Sequence, residues 1–216
     1  MGLGGSFTQD DINNSRVTFR FSDDAFDTSF KFTVSDGVAT LPEATFSINE
    51  QLANDAPVGT SGSVTVNEDG SHIFLTSDFG FSDPSDTPAN ALLNVKISTL
   101  PGAGSLTLNG TAVTTGQLVS TANIASGWLR FAPAADANGL GYASFTFQVQ
   151  DNGGTANGGV DLDPTPRTMT IDVTAVNDAP VLDSASLTLN EGETVTLSAA
   201  NFSITDPDNS SFTYSV

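Results

Sequence analysis

The run Ser144-Phe-Thr-Phe-Gln-Val-Gln-Asp151 is the strongest indication of the fold class, because apolar and polar side chains alternate along it. Such alternation is typical of a β-strand with one buried face. Residues 17–21, 30–34 and 63–66 show the same pattern, and Asp-Gly, Asn-Gly and Asp-Pro pairs between such runs favour turns. Residues 10–14 and 121–125 are predicted to form single helical turns. Many short strands joined by turns indicate an all-β sandwich or barrel.

The charge balance excludes several classes of partner. The chain of 216 residues carries 25 acidic and 6 basic side chains, a formal net charge of −19. This argues against a nucleic-acid partner, because phosphate binding needs clustered lysines and arginines. No apolar run reaches the roughly 18 residues that a membrane-spanning helix needs, so we expect no membrane insertion. A surplus of carboxylates suits cations instead.

Catalytic side chains are scarce. The chain has no cysteine and a single histidine, His72, which we expect to face outward from a strand. Disulfides, thiolate nucleophiles and cysteine-ligated zinc are therefore excluded, and no Gly-x-Ser-x-Gly motif accompanies the histidine. Carboxylate pairs for glycoside cleavage can be drawn, but the acidic residues fall at turns rather than along a cleft. The sequence predicts a protein that is not an enzyme.

Internal repeats organise the chain, and three matches share one spacing of 123 residues. Asn54-Asp-Ala-Pro-Val58 recurs as Asn177-Asp-Ala-Pro-Val181, Asn67-Glu68 as Asn190-Glu191, and Phe81-Ser-Asp-Pro84 as Ile204-Thr-Asp-Pro207. A second relation pairs residues 29–36 with 144–151, and residues 7–19 with 119–131 without gaps. The matches predict a complete β-sandwich repeat at 54–177. They also predict the C-terminal half of a repeat at 1–53 and the N-terminal half of the next at 178–216.

The two half-repeats are complementary. The first corresponds to the back of the complete repeat and the last to its front. Only the counterpart of residues 94–118, interpreted as two strands around Asn109-Gly110, is missing from their sum. Another copy of the chain is therefore expected to complete each half, head to tail, which generates a fibre. The alternative is a segment of a longer array whose ends ignore the repeat borders.

Recurring acidic and amide residues are predicted to gather at two poles of the sandwich. Asp55 and Glu68 lie 13 residues apart, which as extended chain is roughly 40 Å and reaches from one pole to the other. Returning strands bring Asp83 and Asp151 back to the first pole. The first pole then collects Asn54, Asp55, Asp83, Asp86 and Asp151, and the second collects Glu68, Asn177, Asp178, Asp206, Asp208 and Asn209.

Such clusters favour calcium. Carboxylates held together repel one another without a cation, and Ca²⁺ takes about six to eight oxygen ligands, whereas zinc prefers histidine or cysteine. The alternative is that Asp and Asn only populate turns, where they accept backbone hydrogen bonds. For Asp161-Leu-Asp163, a solvated hairpin tip is favoured over a third ion site.

The ordered motifs Asn-Asp-Ala-Pro, Asn-Glu-(Asp/Gly), Asp-Pro-x-(Asp/Asn) and Ser-Phe-x-Phe-x-Val-x-Asp resemble the cadherin-like tandem repeats of giant bacterial surface adhesins. They are similar to repeats of the chondroitin sulfate proteoglycan type and to RTX-adhesin-like extender modules. The resemblance covers nearly the whole chain and implies immunoglobulin-like β-sandwiches in tandem, with Ca²⁺ stiffening their joints. It assigns ligand roles to Asp55, Glu68, Asp83, Asp86, Asp151, Asp178, Glu191 and Asp206.

Two departures from the resemblance limit the number of ions. The linkers lack the longer acidic string of animal cadherins, and Asn209 replaces the acid found at Asp86. One or two Ca²⁺ per joint are therefore expected.

A second copy of the chain is expected to supply Glu191 to the joint at Asp55, and Asp36 to the joint at Asp178.

The resemblance also implies an extracellular or cell-surface location, with neighbouring repeats as partners. An alternative function is a module that binds a glycan or a matrix protein, through a sheet face or through the loop at 152–166. Trp128 is expected in the core, and a role as a platform for a sugar is the alternative.

Overall fold

The computed structural model describes residues 5–18, 28–49 and 51–215. The backbone divides into two compact units, Met1–Ala53 with Ala156–Gly158, and Asn54–Thr155 with Gly159–Val216. A structural border therefore lies before Asn54, where the complete repeat is predicted to begin. The predicted division into a complete repeat and two halves stays a prediction. Short 3-10 helices lie at Thr76–Phe79, Ala156–Gly158 and Ala199–Asn201.

The described part of residues 1–53 includes a short α-helix and a pair of antiparallel strands. Helix α1 (Gln9–Asn13) confirms the predicted helical turn, and Thr8 caps it by accepting a hydrogen bond from the Asp11 amide. Strands β1 (Thr28–Phe32) and β2 (Ala44–Ile48) pair antiparallel, with Phe30 opposite Phe46. The strand predicted at 17–21 lies mostly outside the described residues.

The second unit holds two sheets and a separate hairpin. Its strands are β3 (Gly62–Asn67), β4 (His72–Ile73), β5 (Leu92–Ile97), β6 (Ser105–Leu108), β7 (Thr111–Ala112), β8 (Leu118–Ser120), β9 (Leu129–Ala132), β10 (Gly139–Asp151), β11 (Arg167–Thr174), β12 (Val181–Ala185) and β13 (Phe202–Thr205). A five-stranded sheet has the order β3-β11-β10-β5-β8, and a four-stranded sheet has the order β4-β9-β6-β7. Strand β3 runs parallel to β11, and the other pairs are antiparallel. Helix α2 (Thr121–Ala125) confirms the second predicted helical turn.

Aromatic side chains from both sheets and from the segment between β4 and β5 form the core of this sandwich. Phe74 meets Phe145 edge-on with ring centroids 5.5 Å apart, and Phe79 meets Phe147 at 4.9 Å. All four rings are buried. Burying each such side chain contributes about 1.5–3 kcal/mol relative to leaving it exposed. The predicted all-β, immunoglobulin-like fold class is confirmed.

The predicted hairpin turn at Asn109-Gly110 is also confirmed. Strands β6 and β7 pair around these two residues, whose φ angles are +50° and +78°. Left-handed backbone at both central positions is the reason that Asn-Gly is favoured in a two-residue β-turn.

Two predicted orientations are wrong. His72 shares a strand face with buried Phe74, so its side chain is only 23% exposed and its ring meets the Phe74 ring edge-on at 4.9 Å. Trp128, expected in the core, is 43% exposed. Strand alternation gives the reason, because Leu129 and Phe131 point inward and Trp128 faces the opposite way.

Candidate metal centres

Three carboxylates of the sandwich converge at the first pole, and we call them the first acid cluster: Asp83, Asp86 and Asp151. Each offers an oxygen that lies within 4.8 Å of the others. Asp83 follows Ser82, which bridges back to Val58, and Asp151 ends β10. The backbone ladder therefore delivers both carboxylates to the same end of the sandwich. Asp83 is only 6% exposed and Asp151 is fully buried.

Asn54 and Asp55 join this cluster, so the structure brings together all five residues predicted for the first pole. The Asn54 side-chain amide donates to both Asp151 oxygens, at 3.1 and 3.2 Å. The backbone N–H of Asp55 donates to Asp86 Oδ2 at 3.1 Å. Asn90, which the sequence did not single out, donates from its side chain to Asn54 Oδ1 at 2.5 Å.

Gly153 is required by the close packing at this cluster. Its N–H donates to Asp151 Oδ1 at 2.9 Å. A Cβ atom at this position would lie 1.6 Å from Asn54 Oδ1, so any larger residue must displace Asn54. The turn after β10 thus keeps Asn54 against Asp151.

The negative charge of the first acid cluster is only partly compensated by its described neighbours. Burial raises the pKa of the Asp151 carboxyl, and the charges of Asp83 and Asp161 raise it further, against hydrogen bonds from Gly153 and Asn54. Asp83 Oδ2 accepts the Asn90 N–H at 2.5 Å, but Asp83 Oδ1 is buried with no hydrogen-bond partner among the described residues. No lysine, arginine or histidine of the described residues forms an ion pair with the three carboxylates. A buried oxygen without a partner is costly, and a bound cation would remove that cost.

A second acid cluster, Asp69, Asp136 and Asp178, lies at the other predicted pole. Asp69 lies in the turn after β3, and Asp136 in the loop between β9 and β10. Burial raises the pKa of Asp178, and the charges of Asp69, Asp136, Asp208 and Glu68 raise it further. Asp178 Oδ2 is also buried without a hydrogen-bond partner among the described residues.

Glu68 has a different task at this pole. Its Oε1 accepts the Val176 N–H at 2.6 Å, and its Oε2 accepts the Asn138 side-chain amide at 2.8 Å. These two hydrogen bonds lower the pKa of Glu68. The buried Glu68 carboxylate therefore holds the segment after β11 close to the second acid cluster. Glu68 is not itself a member of that cluster.

The loop after β13, residues 206–209, approaches the same joint. Asp208 Oδ2 accepts the Asp178 N–H at 2.6 Å, and Asn209 donates from its side chain to Asn177 Oδ1 at 3.0 Å. Asp206 Oδ1 accepts the N–H groups of Asp208 and Asn209, at 2.9 and 2.7 Å. The structure therefore places all residues predicted for the second pole near Asp178 or its neighbours.

This loop repeats the bonds of the first pole and corrects one sequence interpretation. Asp208 bonds the Asp178 N–H as Asp86 bonds the Asp55 N–H. Asn209 therefore does not replace the acid of Asp86, because Asp208 holds that position. Asn209 bonds Asn177 as Asn90 bonds Asn54. Relative to the 123-residue spacing, the shorter loop moves the role of Asp86 by one residue and the role of Asn90 by four.

Asp36 and Glu191 are among the predicted ligands that belong to neither acid cluster. Asp36 closes an exposed turn, where its Oδ1 accepts the N–H groups of Val38 and Ala39 at 2.9 and 2.8 Å. These hydrogen bonds lower the pKa of Asp36. Glu191 is exposed in a turn between β12 and β13. Their predicted supply to another copy of the chain stays a prediction.

Asp163 is neither a solvated tip nor a free ligand, which corrects the prediction for Asp161-Leu-Asp163. It is buried and accepts hydrogen bonds from Gly59 N–H at 2.8 Å and from Thr165 N–H and Arg167 Nε at 2.9 Å. Burial alone would raise the pKa of Asp163, but Arg167 and the two N–H groups outweigh it, and the pKa is lowered. A carboxylate so fully paired has little left to offer an ion.

Sequence reasoning missed Asp69, Asp136, Asn90 and Asn138. Asp69 carried a signal, because it follows Glu68 directly within a motif that recurs. Asp136 carried none, because its loop joins two strands of different sheets and its approach to Asp178 depends on how the sandwich closes. Both residues adopt left-handed backbone, with φ of +61° and +57°.

Two family models match the chain in consecutive parts. A family described as cadherin-like matches residues 2–50, and a family described as bacterial Ig domain matches residues 54–163. Both are families of structural, Ig-like domains, and together they indicate a surface adhesin-type repeat. The predicted resemblance to cadherin-like bacterial surface repeats is thereby confirmed.

Other comparisons add no relative. A search of the curated proteins and a search of the solved structures each found no match to the chain. Among the described residues, no helix is long and apolar enough to cross a membrane. The second family match spans just over half of the sequence, and it decides the assignment. The chain belongs to the bacterial Ig domain family.

Proposed function

We propose that the chain is an extender repeat of a bacterial surface adhesin, in which Ca²⁺ binds at the joints and stiffens them. One observation carries this proposal. Asp83 Oδ1 is buried without a hydrogen-bond partner among the described residues, inside a group of three carboxylates whose oxygens lie within 4.8 Å of one another. Oxygen-only ligands of this kind suit Ca²⁺, and a chain with no cysteine and one histidine does not suit zinc.

The two clusters have different mechanical roles in this proposal. The first holds its ion with Asp83, Asp86 and Asp151, all within the sandwich. The second links Asp69 and Asp136 of the sandwich to Asp178 on the segment that leads to β12. Without an ion the like charges repel and the joint flexes, and with an ion they are drawn together. Neighbouring repeats would then be held in line, outside the cell, at a distance from the surface.

Thermal unfolding with Ca²⁺ and with chelator tests the proposal. A ligand that binds only the folded state stabilises it by about 2.7 kcal/mol at 100 times its Kd, so Tm must rise with Ca²⁺. Asp83→Asn and Asp178→Asn should each remove part of this rise. Asp10→Asn is the matched control, because Asp10 is exposed and pairs with Arg16. A Tm indifferent to Ca²⁺ contradicts the proposal.

Exposed Trp128 favours a second candidate function, the binding of a glycan or matrix protein. It borders a depression of about 240 Å³ that is also lined by Asn109 and Arg130. An exposed aromatic face beside polar side chains is suited to a sugar ring. A glycan array gives the test, and Trp128→Ala should abolish any signal. Since Trp128 is the only tryptophan, its fluorescence also reports the contact.

A further inference from the structure

We propose that a second copy of the chain adds its residues 186–190 as a parallel strand to the edge of β2 that no described residue occupies. Among the described residues, β2 pairs only with β1. The predicted register places Ile48 of one copy opposite Leu187 of the other. This goes beyond the calcium proposal and does not depend on it, because it rests on strand pairing.

The first support is the register of the two hairpins. In β1–β2, Thr28 pairs with Ile48 and Phe30 with Phe46. In β10–β11, Ala143 pairs with Ile171 and Phe145 with Met169. Each residue of β1 lies 115 positions before its counterpart, and each residue of β2 lies 123 positions before, so the two ladders coincide pair by pair. Strand β2 is therefore the structural repeat of β11.

The second support is what covers β11 in the sandwich. Strand β3 runs parallel to it, with Val64 opposite Ile171 and Val66 opposite Val173. All four side chains are buried in the core. At the repeat spacing, Ile171 corresponds to Ile48, and Val64 corresponds to Leu187. Strand β2 thus repeats the register of β11, the strand with which β3 pairs.

The third support is that this β3-like segment, residues 186–190, pairs with no strand of the described residues. Residues 186–190 form no strand, and Leu187 and Leu189 are exposed, unlike their buried counterparts Val64 and Val66. The hairpin next to them does follow the repeat, because Val181 pairs with Thr205 as Val58 pairs with Ser82. Pairing with β2 would bury both leucines.

The fourth support comes from the side chain of Asn177. In the first acid cluster, the Asn54 amide donates to Asp151, whose counterpart in the first unit is Asp36. Asn177, the counterpart of Asn54, donates instead to the carbonyl of adjacent Asp178 at 2.6 Å. The proposed pairing brings the Asp36 turn of a second copy next to Asn177. Asp36 would then stand to Asn177 as Asp151 stands to Asn54. The partner is a second copy because this chain carries both complementary pieces.

Disulfide trapping tests the register, since the chain has no cysteine of its own. Single variants Ile48→Cys and Leu187→Cys are mixed under mild oxidation, with Ile48→Cys and Thr188→Cys as the matched control. A shift of one residue turns the side chain to the other face of a strand, so only the first mixture should give a covalent heterodimer. Sedimentation of the unmodified chain should show species above 22.2 kDa at rising concentration.

Equal cross-linking in the two mixtures overturns the proposal. So does an internal disulfide in the dilute double variant Ile48→Cys/Leu187→Cys, because it shows pairing within one chain. A monodisperse 22.2 kDa species at every concentration does the same. Each experiment is run with Ca²⁺ and with chelator, so that heterodimers formed in both conditions support strand pairing even where Tm ignores Ca²⁺.

Discussion

The hairpin β1–β2 and the central pair β10–β11 share one register but differ in burial. Phe30 and Phe46 are 40% and 52% exposed, whereas their counterparts Phe145 and Met169 are 1% and 0% exposed. The pairing of two strands follows from local alternation and a turn, but burial needs strands on both edges and a second sheet against the face. The difference shows which residues of one repeated pattern contribute to stability.

The largest effect on the free energy of unfolding is expected when the equivalent residues Phe145 and Phe30 are each replaced by alanine. Phe145→Ala leaves a cavity among Phe74, Phe147 and their neighbours, so we expect a loss of about 3–5 kcal/mol in the free energy of unfolding. Phe30→Ala should cost far less at low protein concentration, because its ring is already partly in water. Urea denaturation of both variants measures the difference, and equal losses would contradict the comparison.

A second prediction concerns the packing of the first acid cluster. Gly153→Ala pushes Asn54 away from Asp151 and leaves buried acceptors unpaired, so we expect a loss of about 1–3 kcal/mol. Calcium affinity should fall about 10–100-fold, as for other residues that orient metal ligands. Gly102→Ala is the matched control, because nothing lies within 4 Å of its added Cβ. Denaturation measures the loss of stability, and calcium titration measures the loss of affinity. If Gly153→Ala behaves like Gly102→Ala in both, the cluster tolerates the displacement of Asn54 and the prediction is wrong.

The third prediction sets Asp151 against Asp163 in their response to pH. Asp151 has a raised pKa in the folded chain. In chelator, its contribution to the free energy of unfolding is therefore most favourable below the unfolded pKa of about 3.9, and it is lost as pH rises through the folded pKa. Asp163 has a lowered pKa, so its contribution is full above about 3.9 and is lost as pH falls through the folded pKa.

Stability against pH, measured with and without Ca²⁺, checks this prediction. In chelator, Asp151→Asn should remove part of the loss on the alkaline side. With Ca²⁺ bound, the wild-type chain should no longer show that loss. Asp163→Asn should weaken the chain at neutral pH and flatten the acid side of the curve. If stability against pH follows the same curve for Asp151→Asn and wild type in chelator, then Asp151 does not destabilise the folded chain when it is ionised, and the prediction is wrong.

The smallest effect is expected in the exposed hairpin. Lys31 Nζ lies 2.7 Å from Glu43 Oε1, with both side chains mostly in water. Lys31→Met should therefore change the free energy of unfolding by less than about 1 kcal/mol. The same denaturation series measures it. A larger loss would mean that this pair stabilises the hairpin far more than exposed pairs usually do.

Much of the first pole was predictable from sequence, and the reason is strand geometry. The alternation of residues 144–151 placed Asp151 at a strand end, and the repeat motif placed Asp83 fifteen residues after Glu68, on a returning strand. The structure puts both in the first acid cluster. Asn90 was missed because its loop has no repeat at the same spacing, although Asn209 performs the same task.

Sequence patterns were enough to predict the all-β class, the Asn109-Gly110 turn, the two helical turns and the two poles. These follow from residue period, backbone preference and repeat spacing, which act over a few neighbouring residues. Three features became visible only in the folded chain: Asp69 and Asp136 meet Asp178, Arg167 pairs with Asp163, and Trp128 faces outward. Those outcomes depend on how loops from different strands approach once two sheets close over a common core, and no local pattern encodes that distance.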